Sequence, residues 1–170
     1  FWDNAYAVHD LVEQGDELPS LMTAAEKTGT TDSIVMLGST SKVTFAGAGI
    51  SFLATSALQL AAFETFLSNQ MIGFDKVNQL RHVRFLKNSH GINAHMAKHR
   101  DIIKPKFDLV LTKLEEHLAG KSMARWNSPR GGYFISLDTR PGLATTIIKM
   151  AADAGVKLTP AGATFPYGKD

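Results

Sequence analysis

The chain has no cysteine, which excludes thiol nucleophiles, cysteine-ligated metals and disulfide stapling, and fits a reducing compartment such as the cytoplasm. It also lacks an apolar run long enough to span a bilayer and a charged-then-apolar leader, so neither a membrane partner nor an export signal is expected. An excess of one charge is missing as well. With 18 basic against 16 acidic side chains the formal charge is +2, too little for a broad nucleic-acid footprint. What is present is 170 residues of which 44% are hydrophobic, the composition of a globular chain able to bury a substantial core. The abrupt opening Phe1-Trp2-Asp3, without a methionine, reads as the end of a buried strand and leads us to expect a fragment.

Periodicity gives an α/β order. Ser20 ahead of Leu21–Lys27, with Gly29 behind, predicts a short helix with a serine N-cap and a glycine stop. The β-branched and apolar run 33–38 predicts a strand covered on both faces of a mainly parallel sheet, with Lys42 following its carboxyl end. A second strand is expected over 49–53, then helices over 56–70 and 75–87. A long helix over 92–118 contains Pro105, which should bend or interrupt it. Beyond it, strands are expected at 124–126, 132–137 and 156–158, with a helix over 143–154, the start of a smaller α+β domain.

The residues that carry chemistry are Lys42 with its approach Gly38-Ser39-Thr40-Ser41, and the earlier Asp3-Asn4-Ala5-Tyr6. A lysine amine forms a Schiff base with an aldehyde cofactor. Ser39 and Ser41 offer hydroxyls, and their turn backbone amides, to an anionic phosphate. The Asp3 carboxylate can keep a pyridine nitrogen protonated, and Tyr6 lies within reach of the same cofactor's phenolic oxygen. Together they are what a protein needs to hold pyridoxal 5'-phosphate.

Asp3-Asn4-Ala5-Tyr6, Ser39-Thr40-Ser41-Lys42, the glycine-rich 45–49 segment and Ser128-Pro129-Arg130-Gly131-Gly132-Tyr133-Phe134 resemble the fold-type I pyridoxal-phosphate aminotransferases, in the aspartate aminotransferase branch labelled MocR-like. The resemblance implies Lys42 as the Schiff-base lysine and proton carrier, Asp3 as the pyridinium partner, Tyr6 as a donor to O3′, and Ser39 and then Ser41 as phosphate ligands. It also implies a homodimer when complete, with amino acid and 2-oxo acid substrates. Residues 1–104 then correspond to part of the large cofactor-binding domain, and 105–170 to the inter-domain helix and part of the small domain.

Departures from the family pattern are equally informative. Many relatives carry a phosphate-pairing arginine eight residues beyond the lysine, where this chain has Ile50. The family's first half, with its glycine-led phosphate helix, has no counterpart, and the arginine that clamps the substrate carboxylate is expected beyond Asp170. The chain alone is therefore expected to be inactive. An alternative of another class is the cofactor-binding effector domain of a MocR-type transcription regulator, which would carry a DNA-binding segment ahead of Phe1.

Competing motifs carry less weight. Ser39-Thr40-Ser41-Lys42 also fits the Ser-x-x-Lys of β-lactamases, but Lys27-Thr28-Gly29 precedes it instead of following it. Gly47-Ala48-Gly49 is not a dinucleotide fingerprint, since Phe52 takes the third glycine's place. His95 and His99 have zinc-ligand spacing, yet Met96 stands where a catalytic glutamate would be; we expect no metal there and a solvated helix face. Lys98-His99-Arg100 is likewise expected to be exposed surface, and the tryptophans and phenylalanines to form the core.

Overall fold

A computed structural model describes residues 1–168. It divides into two compact units, Phe1–Lys104 with Arg130–Tyr133, and Pro105–Pro129 with the segment from Phe134 onward.

The first unit is built on a three-stranded sheet of β1 (Trp2–Asp3), β2 (Val35–Ser39) and β3 (Ser51–Thr55) in that order. β1 runs parallel to β2, pairing Trp2 with Met36 and Asp3 with Leu37. β3 runs antiparallel to β2, from Val35 opposite Thr55 to Ser39 opposite Ser51. The sheet is thus mixed within the expected α/β class, because residues 40–50 are too few to form the crossover that a parallel neighbour needs. Nor is β2 covered on both faces: Leu37 is 38% exposed.

Helix α1 (Leu21–Thr28) begins where the Ser20 hydroxyl accepts from the Thr23 amide. It ends at Gly29, whose φ of 66° lets the chain turn back so that the Thr30 amide reaches the Ala25 carbonyl at 2.9 Å. Ser56 caps α2 (Ala57–Ser68) and Asp75 caps α3 (Lys76–Leu86) in the same way. α4 (Ser89–Leu118) continues through Pro105 without interruption, and the division between units falls at that residue.

In the second unit, β4 (Ala124–Trp126) and β5 (Leu137–Thr139) pair antiparallel, setting Arg125 opposite Asp138, a favourable cross-strand charge pair. α5 (Ala144–Asp153) comes next. Two expected strands differ in the structure. The one expected over 132–137 is replaced by β5, which starts only at Leu137, because Gly132 turns at φ 79°. Val156–Leu158 forms no strand, since the Val156 amide is used to close α5 on the Ala151 carbonyl at 2.8 Å.

Among the described residues the buried hydrophobic ones are Leu11, Ala25, Val43 and Met96. The expectation of a phenylalanine core fails: Phe1, Phe45, Phe52, Phe63, Phe66, Phe74, Phe85, Phe134 and Phe165 are all exposed, and no residue of α2 is buried. A helix apolar on all sides can be satisfied only when other elements cover it. Among the described residues no helix is long and apolar enough to cross a membrane.

Candidate functional site

Because β1 and β2 are parallel neighbours, the segments that leave them exit at the same end of the sheet. Asp3 closes β1 and Tyr6 comes after it; Ser39 closes β2 and Lys42 comes after that. The carboxyl end of parallel strands is where α/β sheets present their reactive groups. There the Lys42 ammonium lies 4.8 Å from the centroid of the Tyr6 ring, a cation–π distance. The Ser39 and Ser41 hydroxyls are 2.8 Å apart, and the Ser41 amide donates to the Ser39 oxygen at 3.1 Å. Asp3 Oδ1 accepts from the Ala5 amide at 3.1 Å while the residue stays exposed.

Behind Lys42 the chain is closed tightly. Val43 and Thr44 amides both donate to the Thr40 carbonyl, at 2.9 and 2.8 Å, making one helical turn. The Thr40 amide reaches the Ile50 carbonyl, and the Ile50 amide returns to the Thr40 hydroxyl, each at 2.8 Å. Gly49 passes so close beneath this turn that a β-carbon there would lie 2.7 Å from the Ser41 nitrogen and 2.8 Å from its Cα. Glycine at position 49 is therefore a packing requirement of the lysine turn.

Residues 130–133 come back to this region by pairing with 9–11. The Gly132 amide donates to the His9 carbonyl and the Leu11 amide to the Arg130 carbonyl, both at 2.8 Å. This brings Tyr133 to 5.6 Å from the Tyr6 ring and 5.0 Å from His9. Burial, helped by the neighbouring Tyr6, raises the Tyr133 phenol above its ordinary range, and Lys42 acts in the opposite direction. Arg130 itself pairs with Asp16 at 3.0 Å and donates to the Gln14 carbonyl, which is a surface role. A cleft of about 410 Å³ beside it is lined by Asp3, Asn4, Tyr6 and Arg130, but not by Lys42, Ser39 or Ser41.

The histidines depart furthest from expectation. His95 and His99 do not lie on a solvated face: both are half-buried with rings 4.6 Å apart. His95 Nε2 meets the Val43 carbonyl at 2.7 Å. Arg100, expected on the surface, is half-buried and donates to the Val12 carbonyl. His9 and His82 are buried, the first against the Lys42 carbonyl and the second against Thr40 and Thr44. Sequence reasoning gave His9 and His82 no role, since neither lies in a local motif, and it quoted Tyr133 within the Ser128–Phe134 segment without placing it at the site. The one available signal for Tyr133 was its place after Gly131-Gly132.

A family model described as aspartate amino-transferase matches residues 1–170. The chain is 46% identical over 169 residues to a Mycolicibacterium smegmatis protein named as an aminotransferase, covering 99% of this chain and 40% of that protein. The solved structure of an aspartate transaminase from Corynebacterium glutamicum superposes with a TM-score of 0.94 at 42% identity, over 99% of this chain and 40% of that one. An alpha-aminoadipate aminotransferase from Thermus thermophilus, solved with N-(5'-phosphopyridoxyl)-L-leucine, gives 0.74 at 25% identity, over 94% and 40% of the two chains. A helix-turn-helix type transcriptional regulator of Bacillus subtilis is 25% identical over 134 residues, 78% of this chain and 27% of that protein. The chain spans about 40% of the length of the curated aminotransferases it matches.

Proposed function

This chain belongs to the aspartate amino-transferase family, and from that premise we propose that the full-length protein is a pyridoxal-phosphate-dependent aminotransferase, moving an amino group from aspartate to a 2-oxo acid such as 2-oxoglutarate. The observation that carries the reading is the gathering of Lys42, Tyr6, Asp3, Ser39 and Ser41 at one end of adjacent parallel strands. The cofactor in the Thermus relative's structure supports pyridoxal phosphate, and the name of the Corynebacterium relative supports aspartate.

The donor set suits that cofactor: an amine for its aldehyde, a carboxylate for its ring nitrogen, a phenol for its O3′ and two hydroxyls for its phosphate. When bound, pyridoxal phosphate supplies an electron-withdrawing ring that makes the substrate's α-proton removable. Lys42 would hold the aldehyde, and its amine would carry the proton taken from the substrate's α-carbon. Asp3 keeps a proton on the ring nitrogen. Tyr6 donates to O3′, with its ring also under the lysine. Ser39 and Ser41 would donate to the phosphate.

In this reading residues 1–104 belong to the large, cofactor-binding domain and 105–170, whose last two residues lie outside those described, to the inter-domain helix and the small domain. The complete protein is a cytoplasmic homodimer, and the 170-residue chain alone is inactive. The regulator similarity favours one second reading, an effector-sensing domain that binds the cofactor without turnover; a DNA-binding segment in the full-length protein, together with absent transamination, would select it. The primary test is borohydride reduction of the full-length protein loaded with pyridoxal phosphate. Peptide mass spectrometry should find the label on Lys42, and a label on another lysine would sink the site assignment.

A further inference from the structure

The lysine turn is short of hydrogen-bond donors. One helical turn that is not continued leaves its last carbonyls open, and among the described residues neither the Lys42 nor the Val43 carbonyl accepts from a backbone amide. Val43 is only 5% exposed, so water is a poor substitute there, and an unmet carbonyl in such a place is costly. Histidine rings from two different elements meet these two carbonyls. His9, in the segment after β1, brings Nε2 to 3.2 Å from the Lys42 oxygen, and His95, on α4, brings Nε2 to 2.7 Å from the Val43 oxygen. A carbonyl only accepts, so both rings donate through Nε2.

A third ring works in the opposite sense. His82, on α3, has Nδ1 2.9 Å from the Asn78 carbonyl and must donate there. Its Nε2 then has one lone pair to offer, with the Thr40 hydroxyl at 3.1 Å and the Thr44 hydroxyl at 2.8 Å. Thr40 is the residue that starts the turn and clasps Ile50. Start and end of the turn are thus each tied by imidazole to a different part of the unit.

We propose that His9, His82 and His95 are positioning residues for Lys42, holding the 40–44 backbone from three separate elements so that the long, exposed lysine side chain is aimed from a fixed base. This rests on the reading of Lys42 as the cofactor-bearing lysine. A flexible four-carbon stem reaches a productive geometry more often when its backbone does not move. None of the three rings needs to touch the cofactor or substrate for this role.

Two measurements on the full-length protein test it: hydrogen exchange of the Val43 and Thr44 amides without cofactor, and the rate at which added pyridoxal phosphate attaches to Lys42, followed by absorbance. His95→Leu and His9→Leu remove the donor and should each speed exchange and slow attachment about tenfold, the worth of one such bond. His95→Gln keeps an N–H at similar reach and should stay within about threefold of the unsubstituted protein on the same reasoning. Leucine variants that match the unsubstituted protein would overturn the proposal. So would glutamine variants as impaired as the leucine ones, because that pattern means packing alone. If His95→Leu does not fold, His95→Asn and His95→Gln decide: the shorter asparagine should lose the bond and equal behaviour of the two overturns the idea. Should borohydride label a lysine other than Lys42 in the unsubstituted protein, the functional reading fails separately, while exchange still decides whether the histidines hold the turn.

Discussion

The turn carrying Lys42 and the helix α2 belong to the same compact unit, yet they are held in opposite ways. The turn is clasped by Thr40 and Ile50, underlain by Gly49 and met by three histidines. α2 has Leu58 67% and Phe66 60% exposed and no buried residue. The relatives are more than twice as long as this chain, and a helix apolar on all sides is satisfied only when other elements cover it. The contrast teaches that the lysine turn carries its own support, whereas the apolar faces of α2 do not find theirs among the described residues.

The sharpest test of the turn's importance is Lys42→Ala in the full-length protein. Transamination should fall by roughly 10³-fold or more, while stability changes by less than about 0.5 kcal/mol because the replaced side chain is exposed. Retained turnover would mean that another residue moves the proton.

A paired substitution then measures the contrast itself. Gly49→Ala drives a β-carbon into the Ser41 backbone and should cost the 170-residue chain about 1–3 kcal/mol, as overpacking does. Leu58→Ser, on the exposed face of α2, should cost it less than about 0.5 kcal/mol. Equal losses by thermal or urea unfolding would show that the turn is no better supported than the helix.

How far the sequence revealed this division depends on which interactions are local. The Ser20 and Gly29 caps, the β2 run and the position of Lys42 just past a strand end depend on neighbours a few residues away, and all were legible. The antiparallel β3 was legible in principle from the shortness of residues 40–50. By contrast, His95 reaches Val43 and His82 reaches Thr40 across separate elements, so spacing alone pointed His95 toward a metal or solvent. Tyr133 arrives only because Gly131 and Gly132 pair with residues 9–11, where the apolar pattern pointed to a regular strand. The exposed phenylalanines could not be foreseen, since hydrophobicity tells which side chains want cover and not whether these residues provide it.

The smallest expected effect lies at the edge of the histidine group. Burial first, and then the neighbouring His95 and His9, hold the His99 imidazole below its ordinary value of 6.5. The unfolded chain therefore takes up this proton at a higher pH than the folded one. Stability rises with pH wherever the unfolded state binds more protons, so this contribution is complete above pH 6.5 and is lost as pH falls toward the folded-state value. Replacing His99 with glutamine removes the titration. Thermal midpoints of the full-length protein at about pH 7.5 and about pH 5.5 should then drop less in His99→Gln than in the unsubstituted protein, by an amount kept small because the ring is only half-buried. An identical drop in both would show that neither burial nor the neighbouring His95 and His9 penalises protonation of His99.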